Sequence, residues 1–315
     1  MLEVGERAPD FVLPAVDGTS ARFYGRAGGR PTALVLPGTS SAPGQAGALA
    51  AAFQQRPDVD AIWIAWDESQ LPLGAAGFLD NGGRMSSGLG VDPLIGAVIV
   101  LDPNLRVAAI EPYDTAPGRL LGLLTDTLVA VEGSSPVLSQ APVLVVPRVV
   151  DVGSASALIA QCLAGSVETG VEQSGGDRLD SAKKRRRDVT VSDPDQLRSL
   201  SASVGKRVMP EIQRAFAFRA TRFEGFKIAW YDAESAGFFA AHRDNLTPAT
   251  AHRVFGLSIN LNNDYDGGEL TFPEYGDARY RAPAGAAMVF SSSFLHAVSP
   301  VVRGSRFVLL SFLYT

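Results

Sequence analysis

The chain has 315 residues, 46% of them hydrophobic and 19% charged, which is enough for two domains of ordinary size. The net charge of −5 gives no general electrostatic case for nucleic-acid binding. The single cysteine, Cys162, excludes an intramolecular disulfide and a zinc cluster built on thiolates. The first residues lack a signal-peptide pattern, and no apolar run approaches the roughly 18 residues of a membrane span. We therefore expect a cytoplasmic protein with no membrane partner.

Residues 1–132 have the pattern of an α/β domain. The apolar run at residues 31–36 is typical of a central strand that is buried on both faces, and residues 59–66 predict another strand. A Gly/Ser/Pro loop follows the first run at residues 37–44. Leucines at helical spacing predict a closing amphipathic helix, namely Leu120, Leu123, Leu124 and Leu128.

This first part resembles the peroxiredoxins, whose fold is thioredoxin-like. The resemblance rests on residues 5–11 (Gly-Glu-Arg-Ala-Pro-Asp-Phe) and on the apolar strand with its following loop. A peroxiredoxin attacks peroxide with a low-pKa thiolate in that loop, whereas residues 37–44 include Thr and Ser but no Cys. We therefore expect a thioredoxin-fold domain without catalytic activity. Scaffolding, dimerisation (a homodimer) and substrate presentation remain open as its role.

A linker is predicted at residues 133–142, which are small and proline-bearing. Residues 143–215 are expected to form a helical lead-in to the last domain, opening with a short apolar, strand-like run. Gly205 and Pro210 predict a kink or two separate helices. Cys162 shares an apolar helix face with its neighbours, so we expect a small core residue there.

The lead-in contains a run of five basic residues, 183–187. The interpretation favoured by the pattern is a solvated loop edge, because short charge runs usually lie in water. A substrate-facing role for Arg185, Arg186 and Arg187 remains open. Nucleic-acid binding is the weakest alternative, since five charges neutralise little phosphate, and we expect no nucleic-acid partner.

Residues 216–315 predict a β-rich domain. Short strand-like runs alternate with Gly-, Asp- and Pro-bearing turns, a pattern typical of an all-β sandwich or barrel. The runs are 222–231, 254–262, 269–272, 286–290 and 306–314.

Three residues in this part predict a metal site. His242 and Asp244 lie two apart, so on a strand both point to one face, and His296 follows further on. Two imidazoles and one carboxylate on one face of Fe(II) leave positions open for an oxidant and a co-substrate. The chain has only three histidines. We expect the third, His252, to lie in a loop at the surface or beside the ligands.

The order of residues here resembles the prolyl 4-hydroxylase-type branch of the iron(II)/2-oxoglutarate dioxygenases, whose fold is a double-stranded β-helix. The resemblance rests on residues spread from Tyr231 to Arg306, among them the His242-Arg243-Asp244 motif, the Asp266-Gly267-Gly268 turn and His296-Ala297-Val298. The expected fold class is thus two domains, an N-terminal α/β thioredoxin-like domain and a C-terminal jelly roll at 143–315 with flanking helices.

The resemblance also implies cofactors and their ligands. His242, Asp244 and His296 would hold Fe(II), with 2-oxoglutarate and O₂ as co-substrates and ascorbate as an optional reductant. Arg306 would bind the distal carboxylate of 2-oxoglutarate through two parallel hydrogen bonds, and Tyr231 would donate one more. Arg303 is the rival basic residue, which we place in a solvated turn.

We therefore predict a hydroxylase that acts on an unactivated C–H bond of a peptide, a protein side chain or an amino-acid-like small molecule. Succinate and CO₂ would be the co-products. Because related halogenases replace the acid with a small residue, Asp244 argues against that reaction. Candidates to line the substrate side are Arg243, Asn245, Tyr265 and the three arginines of the basic run. The alternatives are a non-catalytic binding or interaction protein and, disfavoured by the missing thiol, a peroxidase.

Overall fold

The structure is a computed structural model, and it describes residues 2–4, 6–16, 18–40, 44–103, 105–132, 140–173, 176–178 and 180–315. The chain divides into two compact units, Met1–Gln140 with Pro273–Gly276, and Ala141–Phe272 with Asp277–Thr315. Most of the predicted linker, residues 133–139, lies outside the described residues, as do residues 41–43 of the predicted loop. The predicted domain boundaries therefore stay a prediction.

The first unit has α/β character, as the sequence predicts. Its strands are β1 (Val12–Pro14), β2 (Ser20–Arg22), β3 (Thr32–Pro37), β4 (Asp60–Ala65), β5 (Gly77–Leu79), β6 (Gly96–Leu101) and β7 (Val107–Pro112). Its helices are α1 (Gln45–Gln54), α2 (Arg84–Gly88) and α3 (Pro117–Glu132), with 3₁₀ turns at Phe23–Gly25 and Glu68–Gln70. Strands β5-β4-β3-β6-β7 form one sheet in that order, with β3, β4 and β5 mutually parallel and β6 and β7 antiparallel to their neighbours.

The central strand β3 explains why the apolar run at 31–36 shows no alternation. Leu34 and Leu36 pack into a core on one face of the sheet, while Ala33 and Val35 pack into a core on the other. A strand covered on both faces is apolar at every position.

The second unit is built mainly from antiparallel strands. They are β8 (Leu144–Val146), β9 (Val167–Glu168), β10 (Val171–Gln173), β11 (Gly176–Arg178), β12 (Lys184–Arg185), β13 (Arg187–Thr190), β14 (Arg222–Phe223), β15 (Lys227–Asp232), β16 (Phe238–His242), β17 (Phe255–Asn260), β18 (Asp266–Gly267), β19 (Leu270–Thr271), β20 (Arg279–Tyr280), β21 (Ala287–Ser291), β22 (His296–Val298), β23 (Val301–Arg303) and β24 (Ser305–Tyr314). The helices are α4 (Val152–Gly165), α5 (Pro194–Ser203) and α6 (Met209–Phe216).

Two sheets dominate this unit. The larger has the order β8-β21-β17-β24-β15-β13-β9, with β14 also paired to β24, and the smaller has the order β12-β16-β22-β19-β20. Each of the five runs predicted as strands contains a strand of one of these sheets. The β-rich character predicted for this part is thereby confirmed.

The prediction of a helical lead-in is wrong between residues 167 and 190. Strands β9 and β13 extend the larger sheet, and β12 forms an edge of the smaller one. These strands are two to four residues long and polar, so their sequence carries no apolar alternation to reveal them. The break predicted at Gly205 and Pro210 takes the form of a π-helical segment, Val204–Val208, between α5 and α6.

The larger sheet has one face against the helices and one face turned away from them. On β24, Phe307, Leu309 and Leu313 belong to the core shared with the helices, so Arg306 and Val308 point to the opposite face. Cys162 of α4 is fully buried in the helix-side core, as its spacing predicts. Among the described helices, none is long and apolar enough to cross a membrane.

Candidate metal centre and carboxylate pocket

The three predicted metal ligands converge at the ends of two paired strands. His242 ends β16, His296 begins β22, and the two face each other across the antiparallel pair. Asp244 follows β16 by two residues, and its backbone N–H donates to the Ser292 carbonyl at 2.9 Å, which fixes its position. The His242 and His296 Nε2 atoms each lie 3.5 Å from an oxygen of Asp244. One potential ligand atom from each residue lies within 4.8 Å of the others.

Backbone carbonyls select the imidazole tautomer that a metal needs. His242 Nδ1 lies 2.8 Å from the Ala240 carbonyl oxygen, and His296 Nδ1 lies 3.0 Å from that of Phe294. Each Nδ1 therefore carries the proton and donates it to the carbonyl, leaving the lone pair of Nε2 toward Asp244.

Burial keeps this donor set in the protonation state that binds cations. Burial, countered in part by Asp244, lowers the pKa of His296 to about 4, so its imidazole is neutral near pH 7. Burial acts to raise the pKa of Asp244, but His296 and His242, with a contribution from Arg253, outweigh it and lower that pKa. The neutral imidazole of His296, a second imidazole and one carboxylate fit a divalent ion such as Fe(II).

Aromatic rings form the wall behind the histidines. Phe239 stacks on His242 with ring centroids 3.6 Å apart, and Phe290 lies 4.7 Å from the His296 ring. Gly256 of β17 lies against the same wall: a Cβ there would meet the Phe290 ring at 3.0 Å and Asp244 Oδ2 at 3.3 Å. The rings pack against the imidazoles and limit their contact with water.

A buried cation lies on the face of the larger sheet that is turned away from the helices. Arg306 is 2% exposed, and its Nε has no hydrogen-bond partner in the described part of the chain. Tyr231 lies directly opposite on β15, with its ring 5.4 Å from the guanidinium carbon. An unpaired buried guanidinium is costly, so this arrangement fits an anionic ligand such as a carboxylate.

The other two predicted side chains of this region lie at the surface. The His252 side chain is 43% exposed, and its Nε2 lies 2.9 Å from Glu224. The Arg303 side chain is 66% exposed, and its Nε lies 2.5 Å from Asp266. His252 is not grouped with the three candidate metal ligands.

The predicted substrate-side residues are scattered. Tyr265 is buried with its hydroxyl donating to Asn260 Oδ1 at 2.9 Å, and Arg243 is buried and donates to the Ser293 carbonyl at 2.5 Å. Asn245 is half-buried and Arg185 is exposed, with the Arg185 guanidinium 5.5 Å from the Phe238 ring. Two of these residues thus keep the exposure that a substrate contact requires.

The solvated loop edge predicted for residues 183–187 is wrong for two of the five residues. Lys184 is buried, and its Nζ donates to the Gly170 carbonyl at 2.7 Å. The Arg186 side chain is 10% exposed and pairs with Asp188, while Arg187 lies on the other face and donates to Ser166. Strand alternation divides the run, so that adjacent basic residues point in opposite directions.

Sequence reasoning also missed residues that the fold brings to the site. Phe239, Gly256 and Phe290 contact the metal ligands, but an aromatic residue or glycine on a strand has no sequence signal that sets it apart from a core residue. The spacing of Arg186 and Asp188, two residues apart, is the one sequence feature that could have predicted their ion pair.

Part of the chain is similar in sequence to proteins described as PKHD-type hydroxylases. One from Synechococcus sp. (strain JA-2-3B'a(2-13)) is 32% identical over 102 residues, 30% of this chain and 45% of that protein. Over these 102 residues the chain is similar to the PKHD-type hydroxylases. The predicted resemblance to a hydroxylase family is thereby confirmed, although the chain spans less than half the length of this relative.

A scan against protein-family models gives no match. Among solved structures, the chain aligns with a prolyl hydroxylase from Trichoplax adhaerens in complex with a hypoxia inducible factor peptide fragment, at 14% identity and a TM-score of 0.46, covering 64% of this chain and 94% of that one. It also aligns with a peroxidoxin from Mycobacterium tuberculosis at 19% identity and a TM-score of 0.33, covering 41% of this chain and 98% of that one. The family relationship rests on the sequence similarity.

Proposed function

We propose that the protein is an Fe(II)- and 2-oxoglutarate-dependent hydroxylase. The observation that carries the proposal is the convergence of His242, Asp244 and His296, with both Nε2 atoms 3.5 Å from the carboxylate. The buried Arg306 lies beside Tyr231, and its Nε has no hydrogen-bond partner among the described residues, so it offers a positive charge for the distal carboxylate of a dicarboxylate co-substrate.

Each group has a separate task in this reaction. His242, Asp244 and His296 would hold Fe(II), which when bound would supply the chemistry that couples oxidation of 2-oxoglutarate by O₂ to hydroxylation of a C–H bond. The balanced reaction converts R–H, 2-oxoglutarate and O₂ to R–OH, succinate and CO₂. Arg306 and Tyr231 bind the distal carboxylate, and the rings of Phe239 and Phe290 exclude water from the ligands.

We also propose a fold for each of the two units. The order β5-β4-β3-β6-β7, with parallel β3 and β4 and antiparallel β6 and β7, supports a thioredoxin-like fold for the first unit. The two antiparallel sheets support a double-stranded β-helix for the second unit. The only cysteine of the sequence, Cys162, lies in the second unit, so we propose a non-catalytic role for the first.

For the substrate we propose a peptide, a protein side chain or an amino-acid-like small molecule. The relationship to PKHD-type hydroxylases supports a C–H hydroxylation. Among the residues predicted to line the substrate side, Arg185 and Arg187 are exposed and Asn245 is half-buried.

The test is an anaerobic titration of the protein with Fe(II) and then 2-oxoglutarate, followed by an assay for succinate in air. We expect a charge-transfer absorption when 2-oxoglutarate joins the iron, and its loss in His242→Ala. The matched control is His252→Ala, which removes an exposed histidine and should leave the absorption intact.

Full succinate formation by His242→Ala would overturn the assignment. No binding of 2-oxoglutarate by the wild-type protein would instead favour the binding-protein alternative. Peroxide consumption that an iron chelator does not suppress would favour a peroxidase.

A further inference from the structure

Arg186 lies beside the pocket formed by Arg306 and Tyr231, and the proposed reaction gives it no task. Its Nη1 is 3.2 Å from the Tyr231 hydroxyl, and its guanidinium carbon is 5.7 Å from the Tyr231 ring and 5.6 Å from the Phe239 ring. Arg306 lies 5.4 Å from the same tyrosine ring. Tyr231 therefore contacts two guanidinium groups, one from each of two strand regions.

The bond between Arg186 and Tyr231 has only one possible direction. A guanidinium donates hydrogen bonds and accepts none, so the Tyr231 oxygen must be the acceptor. The single hydroxyl proton of Tyr231 remains to be donated elsewhere. Among the described residues no acceptor for it is present, and Tyr231 is 2% exposed. Arg186 thus leaves Tyr231 as a donor for a ligand in the pocket.

Asp188 holds Arg186 in this position. Arg186 Nη2 donates to Asp188 Oδ2 at 2.7 Å, and Arg186 Nε lies 2.6 Å from Oδ1. The Thr169 hydroxyl donates to the same carboxylate at 2.8 Å, and Lys184 Nζ lies 3.8 Å from it. One hydrogen bond from Nη2 and the close ion-pair approach of Nε hold the guanidinium against this carboxylate.

The charges of the side chains around Tyr231 favour the binding of an anion. Lys184 and Arg306 are buried and the Arg186 side chain is 10% exposed, while Asp188 pairs with Lys184 and Arg186. The excess positive charge lies on the Arg306 side, where Nε has no partner. A bound carboxylate would accept from both Tyr231 and Arg306 and reduce this excess.

We propose that Arg186, fixed by Asp188, is a positioning residue that turns the Tyr231 hydroxyl into a donor for the distal carboxylate of 2-oxoglutarate. This rests on the proposed function and extends it to residues that do not themselves touch the co-substrate. It assigns part of the basic run 183–187 to co-substrate binding, in place of a solvated surface or a substrate contact.

The experiment is a double-mutant cycle on the dissociation constant of 2-oxoglutarate, measured anaerobically with Fe(II) bound. Its corners are the wild type, Tyr231→Phe, the pair Arg186→Gln with Asp188→Asn, and all three changes together. Neutralising Arg186 and Asp188 together leaves the net charge unchanged and avoids leaving either partner of the ion pair charged alone. Lys184 loses the carboxylate 3.8 Å from its Nζ and keeps its hydrogen bond to the Gly170 carbonyl. The matched control is Arg187→Gln, on the same strand region but bonded to Ser166.

We expect Tyr231→Phe to weaken 2-oxoglutarate binding about tenfold, the size of one hydrogen bond to a charged group. The Arg186/Asp188 pair should weaken it about threefold to tenfold, and adding it to Tyr231→Phe should cause no further loss. With 2-oxopentanoate, which lacks the distal carboxylate, all four proteins should bind alike. Fe(II) affinity and the Arg187→Gln control should match the wild type.

Additive losses in the cycle, or an equal loss with 2-oxopentanoate, would overturn the positioning role. Failure of the wild type to bind 2-oxoglutarate would overturn the proposed function along with it, which separates the two cases. If the paired variant does not fold, Arg186→Lys takes its place, because it keeps the charge but cannot bond Asp188 and Tyr231 with one planar group. Wild-type affinity in Arg186→Lys would equally refute the proposal.

Discussion

Gly256→Ala tests the geometry of the metal centre without changing a ligand. The added Cβ would lie 3.0 Å from two atoms of the Phe290 ring and 3.3 Å from Asp244 Oδ2. Because carbon atoms pack best at about 3.5–4.0 Å, the ring must shift by about 0.5 Å. Phe290 lies 4.7 Å from the His296 ring and 5.2 Å from that of Phe272, so it has little room to move.

The expected cost follows from these contacts. Overpacking of this kind destabilises a core by about 1–3 kcal/mol, offset by up to about 1 kcal/mol because alanine restricts the unfolded chain. Two metal ligands, Asp244 directly and His296 through Phe290, are displaced. Changes to groups that support metal ligands lower affinity about 10–100-fold, and we expect a loss of Fe(II) affinity in that range.

The assay is competition for Fe(II) with a chelator of known affinity under anaerobic conditions, with urea unfolding of the metal-free protein alongside. Gly225→Ala is the matched control, because a Cβ at Gly225 meets nothing within 4 Å. It should change stability by less than about 1 kcal/mol and leave Fe(II) affinity unchanged. Wild-type Fe(II) affinity in Gly256→Ala would refute the arrangement of Asp244 and Phe290 described above.

Three further predictions concern other parts of the second unit. Arg306→Gln should weaken 2-oxoglutarate binding at least about tenfold with Fe(II) affinity retained, whereas the exposed Arg303→Gln should have no effect; equal losses in titrations of both variants would contradict the pocket. Burial acts to raise the pKa of Asp188, but Arg186 and Lys184 outweigh it and lower that pKa, so its stabilisation is complete above the unfolded pKa of about 4 and is lost as pH falls through the lower folded pKa. Urea unfolding should therefore show a steeper loss of stability in acid for the wild type than for the Arg186→Gln/Asp188→Asn pair, and parallel curves would count against the ion pair. Burial raises the pKa of Cys162 to about 11, so a thiol reagent should label it only on unfolding; rapid labelling of the native protein would show that the thiol is accessible.

Local patterns were sufficient for the main features of both units. The apolar run at 31–36, the five strand runs of residues 216–315 and the helix break near Gly205 all depend on neighbours within a few residues, and these predictions are confirmed by the secondary structure. Likewise, the spacing of His242 and Asp244 depends only on residues at the end of one strand. Local periodicity depends on backbone geometry, which the sequence expresses directly.

Those local patterns could not predict the short polar strands. Strands β9, β12 and β13 have too few apolar residues to alternate, and pairing with distant partners alone makes them strands. For the same reason the run 183–187 has the composition of a solvated loop edge, while Lys184 and Arg186 are buried. A charged residue can be buried when the fold supplies its counter-ion, and the sequence does not show where that counter-ion will lie.

The sequence by itself singled out His242, Asp244 and His296 as candidate metal ligands, because only three histidines are present and the side chains that bind Fe(II) are chemically few. The tertiary structure decided how they are used. It brought His296 opposite His242 across a strand pair, and it placed the glycine and the aromatic rings against them. It also turned Arg186 toward Tyr231. Such contacts join residues far apart in the chain, and their distances are set by sheet register and packing, which no local pattern encodes.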